Sequence, residues 1–196
     1  MEKIVPIEVS ARHVHLSKKD LEALFGFGYK LKKMRNLSQP GFFAAKEVIG
    51  IERGNQKIAD VRILGPLRKR TQIELSLTDV VNLGIKNPTR NPGITIIGPK
   101  GKMNIKKGAI VAWRHIHLGP EEARKLGLKN GGSVSIKTKG KRALIFNNVL
   151  VRIDKNFKKS VHLDTDEGNA AGITKKGKGT LVINSKCKNQ NAGGPK

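Results

Sequence analysis

Two matching segments of the chain carry four of its five histidines. Residues 10–17 read Ser-Ala-Arg-His-Val-His-Leu-Ser, and residues 112–119 read Ala-Trp-Arg-His-Ile-His-Leu-Gly. Residues two apart on a β-strand face the same side of a sheet, so each His-x-His triplet presents two neighbouring imidazoles. Zinc accepts imidazole nitrogens at about 2.0–2.1 Å. The duplication predicts two related halves that each deliver a histidine pair to one shared metal site.

A catalytic zinc ion usually keeps three protein ligands and one open position, so each histidine pair needs another donor. His162, the fifth histidine, is one candidate. Glu74 is another, because it is an isolated carboxylate on the polar face of the alternating segment 72–77. A surface histidine and a solvent-facing glutamate are the ordinary interpretations of these two residues. The matching context of the two triplets is what favours a metal.

Arg68 begins a basic run, residues 68–70, directly after a Gly-Pro break and one leucine. A guanidinium group there could bind a phosphate through two parallel hydrogen bonds, although a solvated loop charge is the more common explanation. The polar segment 164–172 is predicted to be a loop, and it has neither P-loop nor Rossmann glycine spacing. No Gly-x-Ser-x-Gly elbow is present, and the single cysteine, Cys187, lies in the polar tail. The sequence therefore gives no support for a nucleophilic triad.

The composition indicates a basic protein of a reducing compartment. Among 196 residues, 39 are Lys or Arg and 15 are Asp or Glu, which gives a formal charge of +24. Such a charge attracts anionic partners, whether nucleic acid, anionic lipid or a small polyanionic substrate. Only 4% of residues are aromatic, so stacking platforms for single-stranded nucleic acid are few. One cysteine excludes an intramolecular disulfide, and no signal peptide or membrane-length apolar run is visible, which predicts a cytoplasmic protein without a membrane partner.

Short strands separated by glycine or proline turns dominate the hydrophobic pattern. The predicted strands are residues 4–9, 44–52, 57–64, 72–77, 94–97, 109–113, 133–137, 143–153, 160–164 and 180–184. Three short helices are predicted to begin near residues 17, 78 and 119, and each ends at a glycine. About ten short strands without long helices predict a mainly β fold, with small β-barrels capped by short helices. The length and the repeat favour two domains of about 100 residues each.

At these residues the sequence resembles the PduL-type phosphate acyltransferases, a family of phosphotransacylases that includes phosphate propanoyltransferase. The resemblance runs from about residue 5 to residue 172. It rests on several separated motifs in one order: Ser-Ala-Arg-His-Val-His-Leu-Ser, Ser-Gln-Pro-Gly, Val-Arg-Ile-Leu-Gly-Pro-Leu-Arg with Thr-Gln-Ile-Glu, Arg-His-Ile-His-Leu, and His-Leu-Asp-Thr-Asp-Glu-Gly-Asn-Ala-Ala.

The resemblance implies transfer of an acyl group between coenzyme A and inorganic phosphate at two zinc ions, which lie between two β-barrel domains. It implies that one zinc ion is held by His13, His15 and Glu74. The other would be held by His115, His117 and His162. Arg68 is similar in position to the arginine that binds phosphate in the family. The positions that line the coenzyme A site are Ser10, Arg62, Leu64 and Asn169.

The same resemblance implies barrels that are discontinuous in sequence and a homodimer. We expect residues 12–112 to form the first barrel domain, residues 1–11 plus 113–184 to form the second, and residues 185–196 to form a basic disordered tail. Some members carry an N-terminal extension that directs them into a bacterial microcompartment. This chain begins almost at the first motif, which favours a free cytoplasmic enzyme.

Two alternatives remain open at this point. A non-catalytic basic RNA-binding protein would explain the charge but would leave the paired histidines unused, and the net charge keeps nucleic acid open as a partner. A dinuclear zinc hydrolase would use the histidines, but it would cleave the acyl donor with water. The sequence leaves open whether acetyl, propanoyl or a longer acyl group is used, and in which direction.

Overall fold

The computed structural model of the protein describes residues 3–87 and 92–183. The chain divides into two compact units. The first unit is Ala11–Ala112, and the second unit combines the residues up to Ser10 with those from Trp113 onward. The predicted tail, residues 185–196, lies outside the described residues, as does Cys187 within it. None of the described helices is long and apolar enough to cross a membrane.

The fold is mainly β, as predicted, with 46% of the described residues in strands and 15% in helices. The strands are β1 Lys3–Val9, β2 His13–His15, β3 Lys33–Asn36, β4 Phe43–Arg53, β5 Gln56–Gly65, β6 Gln72–Leu75, β7 Ile94–Ile97, β8 Lys102–Ile105, β9 Ala109–Val111, β10 His115–Leu118, β11 Ser133–Thr138, β12 Ile145–Ile153, β13 Ser160–Leu163 and β14 Lys176–Val182. The helices are α1 Lys18–Phe25, α2 Leu77–Asn82, α3 Pro120–Leu126 and α4 Thr165–Ala170.

The first unit is built on an eight-stranded sheet that curls into a half-barrel. The strand order is β8-β7-β4-β5-β2-β6-β9, and β3 pairs with β4. The histidine strand β2 lies inside this sheet, parallel to β5 and antiparallel to β6. Its central residue, Val14, is fully buried with Ile63 and Ile73 of the two neighbouring strands. The short strand is therefore held by a strand on each side and by the core beneath it.

The second unit contains a closed six-stranded barrel in the order β1-β13-β10-β12-β11-β14. The N-terminal strand β1 closes it, since β1 pairs in parallel with β13 and antiparallel with β14. The histidine strand β10 lies between β12 and β13, parallel to the former and antiparallel to the latter. Ile116, between the two histidines, is buried in the barrel core with Ile7 and Val161. Both histidine strands thus direct their apolar residue into a core.

Capping residues set the ends of the helices. The Ser17 hydroxyl accepts a hydrogen bond from the Asp20 backbone N–H at 3.2 Å and begins α1, as the sequence predicts. Pro120 occupies the first turn of α3, and Gly127 ends that helix in the left-handed conformation that glycine adopts without strain. These confirmed boundaries place each histidine strand immediately before a short helix.

The structure differs from the sequence-based expectation at several elements, among them α4, β6, β3 and β8. The predicted loop 164–172 is wrong, because it contains α4, whose start is fixed by a reciprocal capping box between Asp164 and Glu167. The strand predicted over 72–77 ends at Leu75, since Ser76 caps α2, and Leu77 is 56% exposed on that helix. Strands β3 and β8 were not predicted, because their mostly polar and exposed residues carry no clear alternation.

Candidate functional site

The first histidine pair meets a carboxylate across two antiparallel strands. His13 of β2 lies directly opposite Glu74 of β6, and His13 Nε2 is 3.5 Å from Glu74 Oε2. The ligand atoms of His13, His15 and Glu74 all lie within 4.8 Å of one another. Both histidines are buried, while Glu74 is partly exposed. Two imidazoles and one carboxylate form a donor set that suits a catalytic zinc ion.

Backbone carbonyl groups fix which nitrogen each imidazole presents. His13 Nδ1 is 2.9 Å from the Ala11 carbonyl oxygen, and His15 Nδ1 is 3.1 Å from the Leu64 carbonyl oxygen. A carbonyl oxygen only accepts, so in a neutral ring Nδ1 carries the proton and Nε2 keeps a lone pair. Such hydrogen bonds orient metal-binding histidines and raise their basicity as ligands. The first cluster (His13, His15 and Glu74) is thus arranged to bind a metal through Nε2.

The second histidine pair meets His162 in the same way. His115 of β10 lies directly opposite His162 of β13, and their rings stack with centroids 5.1 Å apart. The ring centroid of His117 lies 4.6 Å from that of His115 and 4.8 Å from that of His162. Three imidazoles therefore gather on one face of the barrel. His115, His117 and His162 are hereafter the second cluster, and three histidines are also a known zinc donor set.

The imidazole nitrogen atoms of the second cluster have more varied hydrogen-bond partners than those of the first cluster. His115 Nδ1 is 2.8 Å from the Trp113 carbonyl oxygen, which repeats the contact of His13 with Ala11. His162 Nε2 is 2.9 Å from the Ser160 hydroxyl oxygen. His117 Nδ1 is buried and has no hydrogen-bond partner among the described residues. A buried imidazole nitrogen without a partner is costly, and a metal ion would satisfy it.

Burial lowers the pKa of three clustered histidines, His15, His115 and His117. Desolvation, with a smaller contribution from the Arg68 charge, lowers the pKa of His15 to about 3. Desolvation also lowers the pKa of His115 well below its usual value and that of His117 to about 3, and in both cases Arg152 and His162 add to the effect. Neutral imidazole is the form that binds metals, so these three histidines are in the metal-binding form at neutral pH.

The arginine before each histidine pair clamps a neighbouring helix. Arg12 Nε donates to Asp79 Oδ1 at 2.8 Å, and Arg114 Nη1 is 3.2 Å from Glu167 Oε1. Asp79 and Glu167 occupy the same position in the capping boxes of α2 and α4. Each helix follows the strand that carries the third member of a cluster, Glu74 or His162. The two units therefore repeat the same arrangement of histidine strand, arginine and capped helix, of which the sequence predicts only the histidine pairs.

Replacing Asp79 with alanine should destabilise the first unit. The Asp79 side chain is fully buried, accepts from the Ser76 backbone N–H at 3.1 Å and pairs with Arg12. Loss of a helix cap and a charged hydrogen bond is expected to lower the free energy of unfolding by about 2 kcal/mol. Urea unfolding measures this change in the free energy of unfolding. The control is Glu121→Ala, which removes an exposed carboxylate. Equal effects of the two substitutions would contradict this role of Asp79.

Arg68 lies beside the first cluster. Its Nη1 donates to Gln72 Oε1 at 2.5 Å and is 3.8 Å from Glu74 Oε1, and the side chain is 35% exposed. Its backbone N–H donates to the Leu16 carbonyl oxygen at 2.9 Å, which anchors the loop after β5 to the end of the histidine strand. A fixed, partly open guanidinium next to a metal-ligand set can bind an anion there.

Two of the positions implied for coenzyme A adjoin the first cluster. Arg62 of β5 is the parallel-strand partner of His13, and its Nη1 donates to the Lys46 carbonyl oxygen at 2.7 Å. The backbone carbonyl of Leu64 holds His15. The other two positions belong to the second unit: the Ser10 backbone N–H donates to the Leu163 carbonyl oxygen, and Asn169 is exposed on α4.

The metal-free protein should lose stability as the pH falls. The pKa of His15 is 6.5 in the unfolded reference and about 3 in the fold, so between these values only the unfolded chain takes up this proton. The contribution of His15 to the free energy of unfolding is therefore fully present above pH 6.5. It decreases as the pH falls, by up to about 1.4 kcal/mol per pH unit. Burial raises the pKa of Glu167 to about 6. This carboxyl group therefore stabilises the fold at lower pH and opposes the effect of His15.

Urea unfolding of the chelator-treated protein at pH 7 and pH 5 isolates the contribution of His15 when the chain is compared with a His15→Gln variant. The variant should show a smaller loss of stability between the two pH values, because Gln does not titrate. An equal pH dependence in both proteins would show that His15 is not the group responsible.

Comparison with known proteins identifies the family. The family model described as phosphate propanoyltransferase matches residues 6–174. A phosphate propanoyltransferase of Rhodobacter capsulatus is 45% identical over 177 residues, which cover 87% of this chain and 82% of that protein. The enzyme of the same name from Thermotoga maritima is 47% identical over 173 residues, covering 84% and 82%, and that from Listeria monocytogenes is 43% identical over 195 residues, covering 96% and 92%. The resemblance inferred from the motifs is confirmed: the chain belongs to the phosphate propanoyltransferase family and is a phosphate acyltransferase.

Proposed function

We propose that the protein transfers a short acyl group between coenzyme A and inorganic phosphate, in the reversible reaction of acyl-CoA and phosphate to acyl phosphate and CoA. A phosphate oxygen attacks the thioester carbonyl carbon, the C–O bond forms, and the C–S bond breaks to release the CoA thiolate. The observation that carries the proposal is the position of Arg68, whose guanidinium lies 3.8 Å from a carboxylate of the first cluster. An anion-binding group and a metal-ligand set adjoin at this point.

The two clusters are proposed to bind one zinc ion each. His13, His15 and Glu74 would hold the first ion, and His115, His117 and His162 would hold the second. The neutral imidazole of His15, the convergence of the first three ligand atoms within 4.8 Å and the unpartnered Nδ1 of His117 support this assignment. Bound zinc supplies Lewis acidity, which would favour a polarised thioester carbonyl and a thiolate leaving group.

The side chains of this protein would hold and orient the substrates. Arg68 would neutralise the phosphate dianion and orient it to attack the thioester carbonyl carbon. Gln72 and Glu74 hold the guanidinium of Arg68. Because bound phosphate is the nucleophile, no serine or cysteine nucleophile is needed. Ser10, Arg62, Leu64 and Asn169 are proposed to line the coenzyme A site. A homodimer and a cytoplasmic location stay predictions of the sequence.

Membership of an enzyme family argues against the alternative of a non-catalytic RNA-binding protein. The dependence of CoA release on phosphate distinguishes the proposed acyl transfer from the zinc hydrolase alternative. A thiol reagent measures CoA release from acetyl-CoA and propanoyl-CoA with and without phosphate, and hydroxylamine traps the acyl phosphate. The proposal expects CoA release to require phosphate and to match the trapped product one to one. Equal release in the absence of phosphate would identify a thioester hydrolase and overturn the proposal.

A further inference from the structure

A basic cavity of about 570 Å³ lies in the first unit, around the start of α1. Its lining includes Lys18 and Lys19 of that helix, the basic run 68–70, and Lys106 and Lys107 after β8. Seven cationic side chains therefore surround one concave space, and Asp20 is the only carboxylate among the lining residues. The proposed acyl transfer assigns no task to six of these seven cations.

The base of this cavity is held by hydrogen bonds rather than by flexible side chains. The Ser17 backbone N–H donates to Thr71 Oγ1 at 2.9 Å, and the Thr71 hydroxyl in turn donates to the Asp20 carboxylate. Ser17 and Thr71 are buried, and Ser17 also pairs with Arg68 through a β-bridge. The Asp20 carboxylate thus accepts from Thr71, and the Asp20 backbone N–H donates to the Ser17 hydroxyl that caps α1. The cations stand around a fixed framework, and the one acid is already occupied within it.

The charge and shape of the cavity fit a small polyanion. Like charges gathered on a concave surface repel one another and create a strong positive potential, which a bound anion relieves. Ammonium and guanidinium groups form charge-assisted hydrogen bonds with phosphate oxygens. The volume falls in the range of small-ligand sites, about 300–1,000 Å³. The seven cations line one concave space, which favours a compact anion over a nucleic-acid strand.

We propose that this cavity binds a compact anion of the diphosphate class, and that its occupation inhibits the use of inorganic phosphate. The inhibitory part rests on the proposed function. Arg68 couples the two sites, because it lines the cavity and its Nη1 lies 3.8 Å from Glu74 of the first cluster. A diphosphate that draws the guanidinium toward the cavity removes it from the place where phosphate would bind.

Isothermal titration with pyrophosphate tests the binding site directly. The pocket variant carries Lys18→Gln, Lys19→Gln, Lys106→Gln and Lys107→Gln, all at exposed positions. The matched control carries Lys129→Gln, Lys137→Gln, Lys176→Gln and Lys178→Gln, which remove the same charge from exposed positions of the second unit. Both sets are also measured in a His13→Ala background, so that chelation of metal by pyrophosphate at the first cluster does not enter the result.

The pocket variant is expected to bind pyrophosphate at least about tenfold more weakly than the unmodified chain at roughly 150 mM salt, and the control less than about twofold more weakly. Equal weakening in both variants would mean a general effect of net charge and would overturn the site. Absence of pyrophosphate binding by the unmodified chain would overturn it as well. If a single-stranded RNA of about 12 nucleotides binds and the pocket variant alone loses it, while pyrophosphate does not bind, the cavity is a nucleic-acid site instead.

Inhibition of acyl transfer tests the coupling through Arg68. Pyrophosphate should raise the apparent KM for phosphate in the unmodified and control proteins, and it should have a much weaker effect in the pocket variant. Inhibition of equal strength in the pocket variant would overturn the coupling. If no phosphate-dependent transfer is found at all, the proposed function fails, and with it the inhibitory part. The titration still decides whether the anion site exists.

Discussion

The His115→Ala variant should lose the zinc ion of the second cluster and at least about 10³-fold of the acyl-transfer rate. His115 lies directly opposite His162 on the neighbouring strand, and its ring centroid is 4.6 Å from that of His117 and 5.1 Å from that of His162. Removing it leaves two imidazoles, which is fewer than the three protein ligands that a catalytic zinc site usually keeps. Elemental analysis and the CoA-release assay measure the two losses together.

A companion His13→Ala variant provides the matched comparison. Because His13 belongs to the first cluster and His115 to the second, each substitution should lower the zinc content from two ions per chain to one. Thermal unfolding of the chelator-treated proteins separates loss of metal from damage to the fold. The metal-free His115→Ala variant and the metal-free unmodified chain should unfold at similar temperatures. Retention of both zinc ions and of full activity in His115→Ala would remove this histidine from the site.

The Arg68→Ala variant should raise the KM for phosphate by about 10- to 100-fold and leave the KM for acyl-CoA nearly unchanged. The guanidinium is the positive group next to the first cluster, and it is held there by Gln72 and Glu74. Arg68→Lys should restore only part of the phosphate binding, because a single ammonium does not form two parallel hydrogen bonds. Initial rates at varied phosphate and fixed acyl-CoA measure both effects.

Arg70→Ala is the control for the Arg68 prediction. Arg70 belongs to the same basic run and is exposed, so its loss removes an equal charge from the same loop. It should change the KM for phosphate less than about threefold in the absence of pyrophosphate. Zinc content must stay constant in all three variants, so that any change in phosphate use is not caused by loss of metal. An unchanged phosphate dependence in Arg68→Ala would exclude its proposed role.

The local sequence pattern was sufficient to find two of the three residues of each cluster. The period of a strand predicts that His13 and His15 share a face, and the same holds for His115 and His117. Because the histidine pair occurs twice in matching context, a metal site is a more plausible interpretation than two exposed pairs without a function. Most strand positions were also visible, since short apolar runs bounded by glycine or proline are a local signal. The mainly β class followed from these runs and is confirmed.

The third member of each cluster depends on strand register, which no local pattern contains. Glu74 is 61 residues from His13 along the chain, and the two meet only because β6 pairs antiparallel with β2 at this register. His162 reaches His115 through the equivalent pairing of β13 with β10. Local reasoning could name both residues as candidates, but it could not assign them to a pair. The resemblance to a family supplied that assignment.

Helix α4 and the arginine clamps were missed for a related reason. Asp164 and Glu167 are common turn residues, and their reciprocal capping bonds become visible only in three dimensions. The clamp of Glu167 by Arg114 likewise joins residues 53 positions apart. An acidic residue three positions after Ser76 and after Asp164 was the available sequence signal for both helices.

The two histidine clusters are proposed to hold zinc ions that acyl transfer requires. Elemental analysis of the zinc content per chain tests this, on the same samples whose phosphate-dependent CoA release is assayed before chelation, after chelation and after return of zinc. We expect two zinc ions per active chain, and we expect metal and activity to be lost and regained together. Full activity in a chain that contains no metal would contradict the account.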